Sequence, residues 1–156
     1  MARRLAAAAA MAALVIITAS VASIASASSH LAEPATVHVI EHATTDTVVD
    51  VGAPGDSTGD ILTFHNQVFD AHDQHAVGSD QGECIRIDPA GGSWECRWVT
   101  FLRGGQIAVE GRFLDAANTV LPITGGTGIY ANARGQMALL SRNGGTEFDF
   151  VFRVIP

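Results

Sequence analysis

Short runs of alternating apolar and polar residues, separated by clusters of Gly, Pro, Asp and Asn, make up the chain from about residue 36 onward. A period of two places successive side chains on opposite faces of a β-strand, and the separating clusters supply the positive-φ positions that tight turns need. No stretch of this part has the period of an amphipathic helix. The predicted strands are residues 36–42, 47–51, 60–69, 83–87, 94–102, 106–114, 119–124 with 135–141, and 147–155.

Eight or nine strands at this spacing predict an all-β domain whose sheet either closes into a barrel or folds into two stacked sheets. A barrel of about eight antiparallel strands has an interior that side chains fill or that holds one small ligand. The 156 residues, 47% of them hydrophobic, suffice for one core. We therefore expect one domain, over residues 36–156.

The first 27 residues have the pattern of a secretory signal peptide. A basic head, Arg3 and Arg4, precedes an uncharged run over residues 5–24, and Ala25-Ser26-Ala27 fits the small-residue cleavage pattern. We expect cleavage near Ala27, a secreted protein, a disordered lead-in over residues 28–35 and no stable membrane association. The alternative is an uncleaved anchor, because the run is about long enough to span a bilayer.

The charged residues of the chain exclude several classes of function. The chain has nine Arg, no Lys and 16 Asp or Glu, for a net charge of −7. This balance excludes a nucleic-acid surface, and the absence of Lys excludes Schiff-base catalysis. Six His residues suggest a metal site, above all in residues 70–75, Asp-Ala-His-Asp-Gln-His. Polar residues are expected there in any case, because the segment is a predicted turn, so we predict neither a metal nor a cofactor.

The predicted strand 60–69 carries an amide within an apolar face. Alternation places Leu62, Phe64, Asn66 and Val68 together on that face. A buried amide must find hydrogen-bond partners or orient a water, which makes Asn66 a candidate site residue. The alternative is an Asn that bonds only to neighbouring backbone.

Two cysteines lie on adjacent predicted strands. A hairpin centred on Ala90 places Cys84 directly opposite Cys96, and an opposed pair in a secreted chain usually oxidises. We therefore predict a Cys84–Cys96 disulfide. Trp94, Cys96 and Trp98 share one face, so both indoles flank this bridge.

Four segments, in order and with preserved spacing, carry a resemblance to a known family. They are residues 59–70 (GDILTFHNQVFD), 78–84 (GSDQGEC), 105–111 (GQIAVEG) and 124–136 (TGGTGIYANARGQ). These segments resemble motifs of the allene oxide cyclase family, small calycin-type barrels that include the plant dirigent proteins. The resemblance implies an eight-stranded antiparallel β-barrel with an apolar lumen, assembled as a homotrimer.

The resemblance also implies chemistry in the lumen. In the plant cyclases a Glu on the first strand and an Asn after the Gly-Asp motif hold a water against an epoxide oxygen, and the lumen shape directs ring closure. Glu41 and Asn66 fall on these positions, so they are the candidate catalytic residues. Cys84 falls on a Cys that lines the family pocket. Ala43 departs from the family pattern, which has a second Asn there.

Further side chains are expected to surround a substrate. The predicted substrate-binding residues are Leu62, Phe64, Cys84, Arg86, Trp94 and Trp98. Arg86 shares a face with Cys84, and it either binds a carboxylate or pairs with Glu41 at the barrel mouth, or it pairs with surface acids at the rim. Glu41 would face solvent if the register of its strand shifted by one residue.

These observations predict a secreted β-barrel cyclase or isomerase that closes a ring in a small hydrophobic molecule, of epoxide or polyene type. One alternative is a dirigent-like or carrier barrel that binds such a molecule without chemistry of its own. Another is a trimer with a filled interior and no ligand. A lumen lined by Glu41 and Asn66 favours the cyclase, and an open lumen without a buried carboxylate favours the carrier.

Overall fold

The computed structural model describes residues 33–155, and every regular element in that range is a β-strand. The ten strands are β1 (Ala35–His42), β2 (Thr47–Val49), β3 (Ile61–Phe64), β4 (Gln67–Asp70), β5 (Ala76–Asp88), β6 (Ser93–Leu102), β7 (Gly105–Leu114), β8 (Thr119–Gly128), β9 (Arg134–Arg142) and β10 (Glu147–Ile155). The predicted signal peptide and the lead-in up to residue 32 lie outside the described residues. Within residues 33–155, no helix is long and apolar enough to cross a bilayer.

The strands close into one antiparallel barrel with eight strand positions. β1 and β2 form one position, interrupted at residues 43–46, and β3 and β4 form the next, interrupted at residues 65–66. β1 pairs with β4, β2 pairs with β3, and both β3 and β4 pair with β5. From β5 onward each strand pairs with the next, and β10 pairs with β1. The predicted eight-stranded barrel is confirmed, and the two-sheet alternative is wrong.

Inward-facing apolar side chains from all strand positions form a single core, as the two-residue period predicts. Ile107, Leu121, Met137 and Phe152 are completely buried and fill the barrel near the end at which β10 finishes. The inward positions toward the opposite end, where the turns after β5, β7 and β9 lie, surround open space instead. The barrel is therefore packed at one end and hollow at the other.

β5 is longer than the sequence pattern predicted. It begins at Ala76 rather than at residue 83, and its first half contains Gly78, Asp80 and Gly82 in place of an apolar alternation. A Cβ atom on Gly78 would lie 2.0 Å from the carbonyl oxygen of Phe101 on β6. The close approach of β6 excludes a side chain at this position, which is why the strand pattern is missing there.

The disulfide predicted between β5 and β6 is present. Cys84 pairs directly with Cys96 in the strand register, and their sulfur atoms are 2.02 Å apart. The bridge lies on the inward face of both strands. It links two neighbouring strands of the hollow half of the barrel.

Gly82 and Trp98 are also directly opposite each other on β5 and β6. A Cβ atom on residue 82 would lie 2.3 Å from the Cβ of Trp98 and 2.4 Å from the carbonyl oxygen of Arg97. The Cβ and Cα of the buried Trp98 and the Arg97 carbonyl thus occupy the space that a side chain at residue 82 would need. The position of this glycine in the GSDQGEC segment thus has a steric cause.

Gly82→Ala is expected to lower the melting temperature by at least about 4 °C, since over-packing a filled site typically costs about 1–3 kcal/mol. Gly125→Ala is the matched control, because a Cβ on Gly125 in β8 would have no neighbouring atom within 4 Å. Thermal unfolding followed by circular dichroism measures both variants. Equal melting temperatures for the two would contradict the steric role of Gly82.

Candidate functional site

The hollow half of the barrel contains a cavity of about 300 Å³ that opens between the turns after β1, β7 and β9. This volume lies at the small end of the range of ligand pockets. Most of the wall is apolar, and much of it is aromatic: Leu62, Phe64, Trp98, Phe113, Leu139, Phe148, Phe150 and the Cys84–Cys96 bridge. The interior is thus not filled, which argues against the purely structural alternative.

A second concavity, a groove of about 600 Å³, crosses the outer surface of β5, β6 and β7. Its polar residues include the exposed Arg97, which forms an ion pair with Glu83, and the exposed Glu110. Exposed charges of this kind are well hydrated and carry no perturbed chemistry. The lumen cavity, which has buried ionisable groups, is the candidate site.

Glu41 lies near the end of β1 and faces the cavity, with 5% of its surface exposed. It is paired with Val68 on β4 and Phe148 on β10, both of which also face inward. The strand register therefore places Glu41 inside the barrel rather than on its surface. A carboxyl in this position is available to a molecule in the lumen.

Asn66 holds Glu41 in place from the interruption between β3 and β4. Its Nδ2 donates hydrogen bonds to Glu41 and to Asp46, both at 2.8 Å. Its Oδ1 accepts from the backbone N–H groups of Thr44 and Thr45 and from the Thr45 hydroxyl, each at 3.0 Å. Both amide hydrogens and the amide oxygen are used within the protein, so Asn66 positions other groups and has no free donor for a water.

Asp80 on β5 is a site residue that the sequence analysis missed. Its side chain is completely buried, and its Oδ1 accepts a 3.1 Å hydrogen bond from the Asn66 backbone N–H. The negative charge of Asp80 raises the pKa of Glu41, and Asp80 Oδ2 has no hydrogen-bond partner in the part of the chain that the structure describes. Two neighbouring buried carboxylates repel each other, so a proton on one of them is favoured. Alternation along β5 from Cys84 through Gly82 would have placed Asp80 on the inward face.

The surroundings of the two carboxyls favour their protonated forms. Burial raises the pKa of Glu41 well above its usual range, and the negative charge of Asp80 raises it further. Burial also raises the pKa of Asp80, to about 7. Burial and the neighbouring Asp80 charge thus favour the protonated form of Glu41. The site therefore presents a neutral acid to an apolar cavity.

Arg86 and Trp94 are placed differently from the prediction. The Arg86 Nε and NH2 groups donate to the two oxygens of Asp56 at 2.7 and 2.6 Å, and NH1 donates to Asp115 at 2.6 Å. The guanidinium lies 4.4 Å above the Trp94 ring, whose Nε1 donates to Asp115 at 2.7 Å. Neither Arg86 nor Trp94 lines the cavity, and Arg86 does not pair with Glu41. Two loop acids take up the charge of Arg86 at the barrel rim.

The other predicted substrate-binding residues do line the cavity: Leu62, Phe64, Cys84 and Trp98. Cys84 contributes a disulfide to the wall rather than a thiol. The buried Nε1 of Trp98 has no hydrogen-bond partner among residues 33–155. An unsatisfied buried donor costs free energy that a hydrogen-bond acceptor on a ligand would recover.

Residues 70–75 form the turn that the sequence predicted. Asp70 accepts hydrogen bonds from the backbone N–H groups of His72 and Gln74 and lies 2.9 Å from Nδ1 of His75. These contacts, led by the Gln74 N–H, lower the pKa of Asp70 to about 2. Asp70 therefore stabilises the turn.

In the described part of the chain, one group of side chains has the composition of a metal site: His42, Asp73 and Glu147. It lies outside the lumen, where His42 Nε2 is 2.7 Å from Asp73 Oδ1. The Arg142 guanidinium is 3.8 Å from a carboxylate oxygen of both Asp73 and Glu147 and already supplies positive charge to them. This group links the 71–75 turn to β1 and β10.

The sequence pattern of the allene oxide cyclase family matches residues 36–142. Among solved structures, a pyocyanin demethylase is 26% identical, with a TM-score of 0.63, and the match covers 76% of this chain and 100% of that one. An exo-specific intermolecular Diels-Alderase is 17% identical, with a TM-score of 0.62, over 78% of this chain and 97% of that one.

A pterocarpan synthase dirigent protein is 18% identical, with a TM-score of 0.61, over 78% of this chain and 96% of that one. At this level of identity, the Diels-Alderase and the dirigent protein show a shared fold and carry no residue roles. Both are similar to the present chain in the barrel described above.

The acid pair makes stability depend on pH. A carboxyl whose pKa is higher in the folded than in the unfolded state stabilises the fold below the unfolded pKa, and this contribution is lost as pH rises through the folded pKa. Glu41→Gln replaces the titrating Glu41 carboxyl with a neutral amide that can donate to Asp80. The melting temperature of Glu41→Gln minus that of the parent should therefore increase by several degrees from about pH 5 to about pH 9.

Glu95→Gln is the control for this comparison, because Glu95 on β6 is exposed and lies outside the lumen cavity. Its melting temperature should follow that of the parent at every pH, as measured by differential scanning fluorimetry. A constant difference between Glu41→Gln and the parent would show that Glu41 is already ionised at low pH.

Proposed function

The chain belongs to the allene oxide cyclase family, and from this premise we propose that it is a small-molecule cyclase or isomerase acting in the barrel lumen. One observation carries the proposal: the buried Glu41 carboxyl, held by Asn66, faces an open, largely aromatic cavity, and burial beside Asp80 raises its pKa. A neutral carboxylic acid in an apolar site is a suitable general acid at neutral pH.

In the proposed reaction Glu41 donates its proton to an electron-rich oxygen of the substrate, such as that of an epoxide. The carbon–oxygen bond breaks, its electron pair stays with the oxygen, and positive charge develops on carbon. An alkene or hydroxyl of the same molecule attacks that carbon and closes the ring. A proton leaves the new ring and returns to the Glu41 carboxylate, so the reaction is an isomerisation that needs no further reactant.

The surroundings of Glu41 favour this charge development. Once Glu41 has lost its proton, the pair with Asp80 carries two negative charges next to the forming cation. The faces of Trp98 and Phe150, 5.6 Å apart between ring centroids, offer cation–π stabilisation. Asn66 is a positioning residue in this scheme, since its amide is fully used in holding Glu41 and Asp46.

The second candidate function is a dirigent-like or carrier barrel. It is favoured by the full use of the Asn66 amide, because no free donor remains there to hold the water expected from the plant cyclases. Ala43 points the same way, since it replaces a second amide. In this alternative the cavity binds and orients a hydrophobic molecule while the chemistry is supplied elsewhere.

Secretion is part of the proposal, and it is supported by the apolar leader and by the Cys84–Cys96 disulfide, a bond typical of oxidising compartments. Assembly as a homotrimer stays a prediction from the resemblance. Mass spectrometry of the protein recovered outside the producing cell tests secretion, and we expect a chain that begins at Ser28. Light scattering of the same sample tests assembly as a homotrimer.

The catalytic proposal is tested with 6,7-epoxylinalool, a neutral epoxide with an internal hydroxyl that cyclises under acid. Purified protein is expected to accelerate cyclisation with an excess of one enantiomer, measured by chiral gas chromatography. Glu41→Gln should lower the rate by about 10²–10⁴-fold, the usual contribution of a general acid, while Glu95→Gln should leave it unchanged. Binding of the epoxide without acceleration would favour the carrier.

A further inference from the structure

The charged groups at the lumen cavity are all acidic. Glu41, Asp46 and Asp115 line it, and none of its lining residues in the described part of the chain is Arg or His. The sequence as a whole contains no Lys. A ligand in this cavity therefore meets negative charge and no side chain of opposite sign.

Only one of these three acids has a positively charged partner. Asp115 receives hydrogen bonds from Arg86 and Trp94 at the rim. Asp46 receives one from the neutral amide of Asn66 and lies at the exposed mouth. Glu41 lies beside the buried Asp80 carboxyl, so ionisation of either group adds negative charge next to the cavity. Asp46 and the acid pair together leave the cavity negative.

The rest of the wall is largely aromatic, which suits an aromatic ligand. Phe64 and Trp98 are in edge contact with ring centroids 6.2 Å apart, and Phe113 and Phe148 are in edge contact at 5.9 Å. Aromatic rings attract cations at their faces. A carboxylate in the same place would lose its hydration next to other carboxylates without gaining an ion pair, which is strongly unfavourable.

We propose that the lumen binds planar aromatic cations in preference to carboxylates, and that the natural ligand is a molecule of the cationic class. This inference rests on the same cavity as the proposed function. It sets the chain apart from enzymes whose substrates are fatty acids, since such substrates carry a carboxylate at neutral pH. The ligand of this chain carries its positive charge near Asp46 and the Glu41–Asp80 pair.

The test uses three probes with one ring system: N-methylacridinium, acridine and acridine-9-carboxylate, which at about pH 8 are a cation, a neutral molecule and an anion. Their binding is measured by fluorescence titration in about 0.15 M salt, where the field of distant surface charges is largely screened. The cation should bind one molecule per chain at least about tenfold more tightly than the anion, with the neutral probe between them.

Asp46→Asn should reduce the preference for the cation at least about threefold, because it removes a charge at the cavity mouth. Glu95→Gln removes the same charge from the outer surface of β6 and should leave the preference unchanged. Equal or tighter binding of the carboxylate would overturn the inference. So would failure of the cation to bind, or an equal effect of the two variants.

The two proposals fail in different ways. If the protein prefers N-methylacridinium but does not cyclise the epoxide, the proposed ligand class stands and the proposed catalytic function fails. If the protein cyclises the epoxide in a Glu41-dependent manner but binds acridine-9-carboxylate as tightly as the cation, the catalytic function stands and the ligand class fails.

Discussion

The buried amide of Asn66 is the interaction on which both the barrel corner and the site depend. It lies where β3 gives way to β4, and its oxygen accepts the N–H groups of Thr44 and Thr45 in the opposite interruption. The same amide donates to Glu41 and Asp46. Two neighbouring strand positions are therefore interrupted without leaving these backbone N–H groups unpaired, and the same amide holds Glu41 and Asp46 at the cavity.

The Glu41–Asp80 pair reduces the folding stability of an otherwise apolar barrel. Burying Glu41 against Asp80 is unfavourable once both are ionised, and packing alone would be better served by two apolar side chains. The surrounding fold tolerates it because the packed end of the barrel holds the strands independently of the site, while the Cys84–Cys96 bridge links two strands beside the site. Most of the close packing and the candidate chemistry thus lie in different halves of one barrel.

The fold was predictable from the sequence because its signals are local. Alternation and turn residues identify most strands, and hairpin symmetry alone places Cys84 opposite Cys96. The first half of β5 was missed because Gly78 and Gly82 are set by the close approach of β6, which no local pattern reveals. The acid partners of Arg86 and the contact of Asp80 with Glu41 join segments far apart in sequence, so they required the three-dimensional structure.

Because a disulfide forms part of the cavity wall, the binding site is complete only after the chain has been oxidised. The two sulfurs that border the ligand space become a fixed surface only after an oxidant has removed two electrons and two protons from the thiols. A newly made chain in reducing surroundings would present two thiols to the lumen instead. The pocket therefore reaches its final form only after the chain has been made and oxidised.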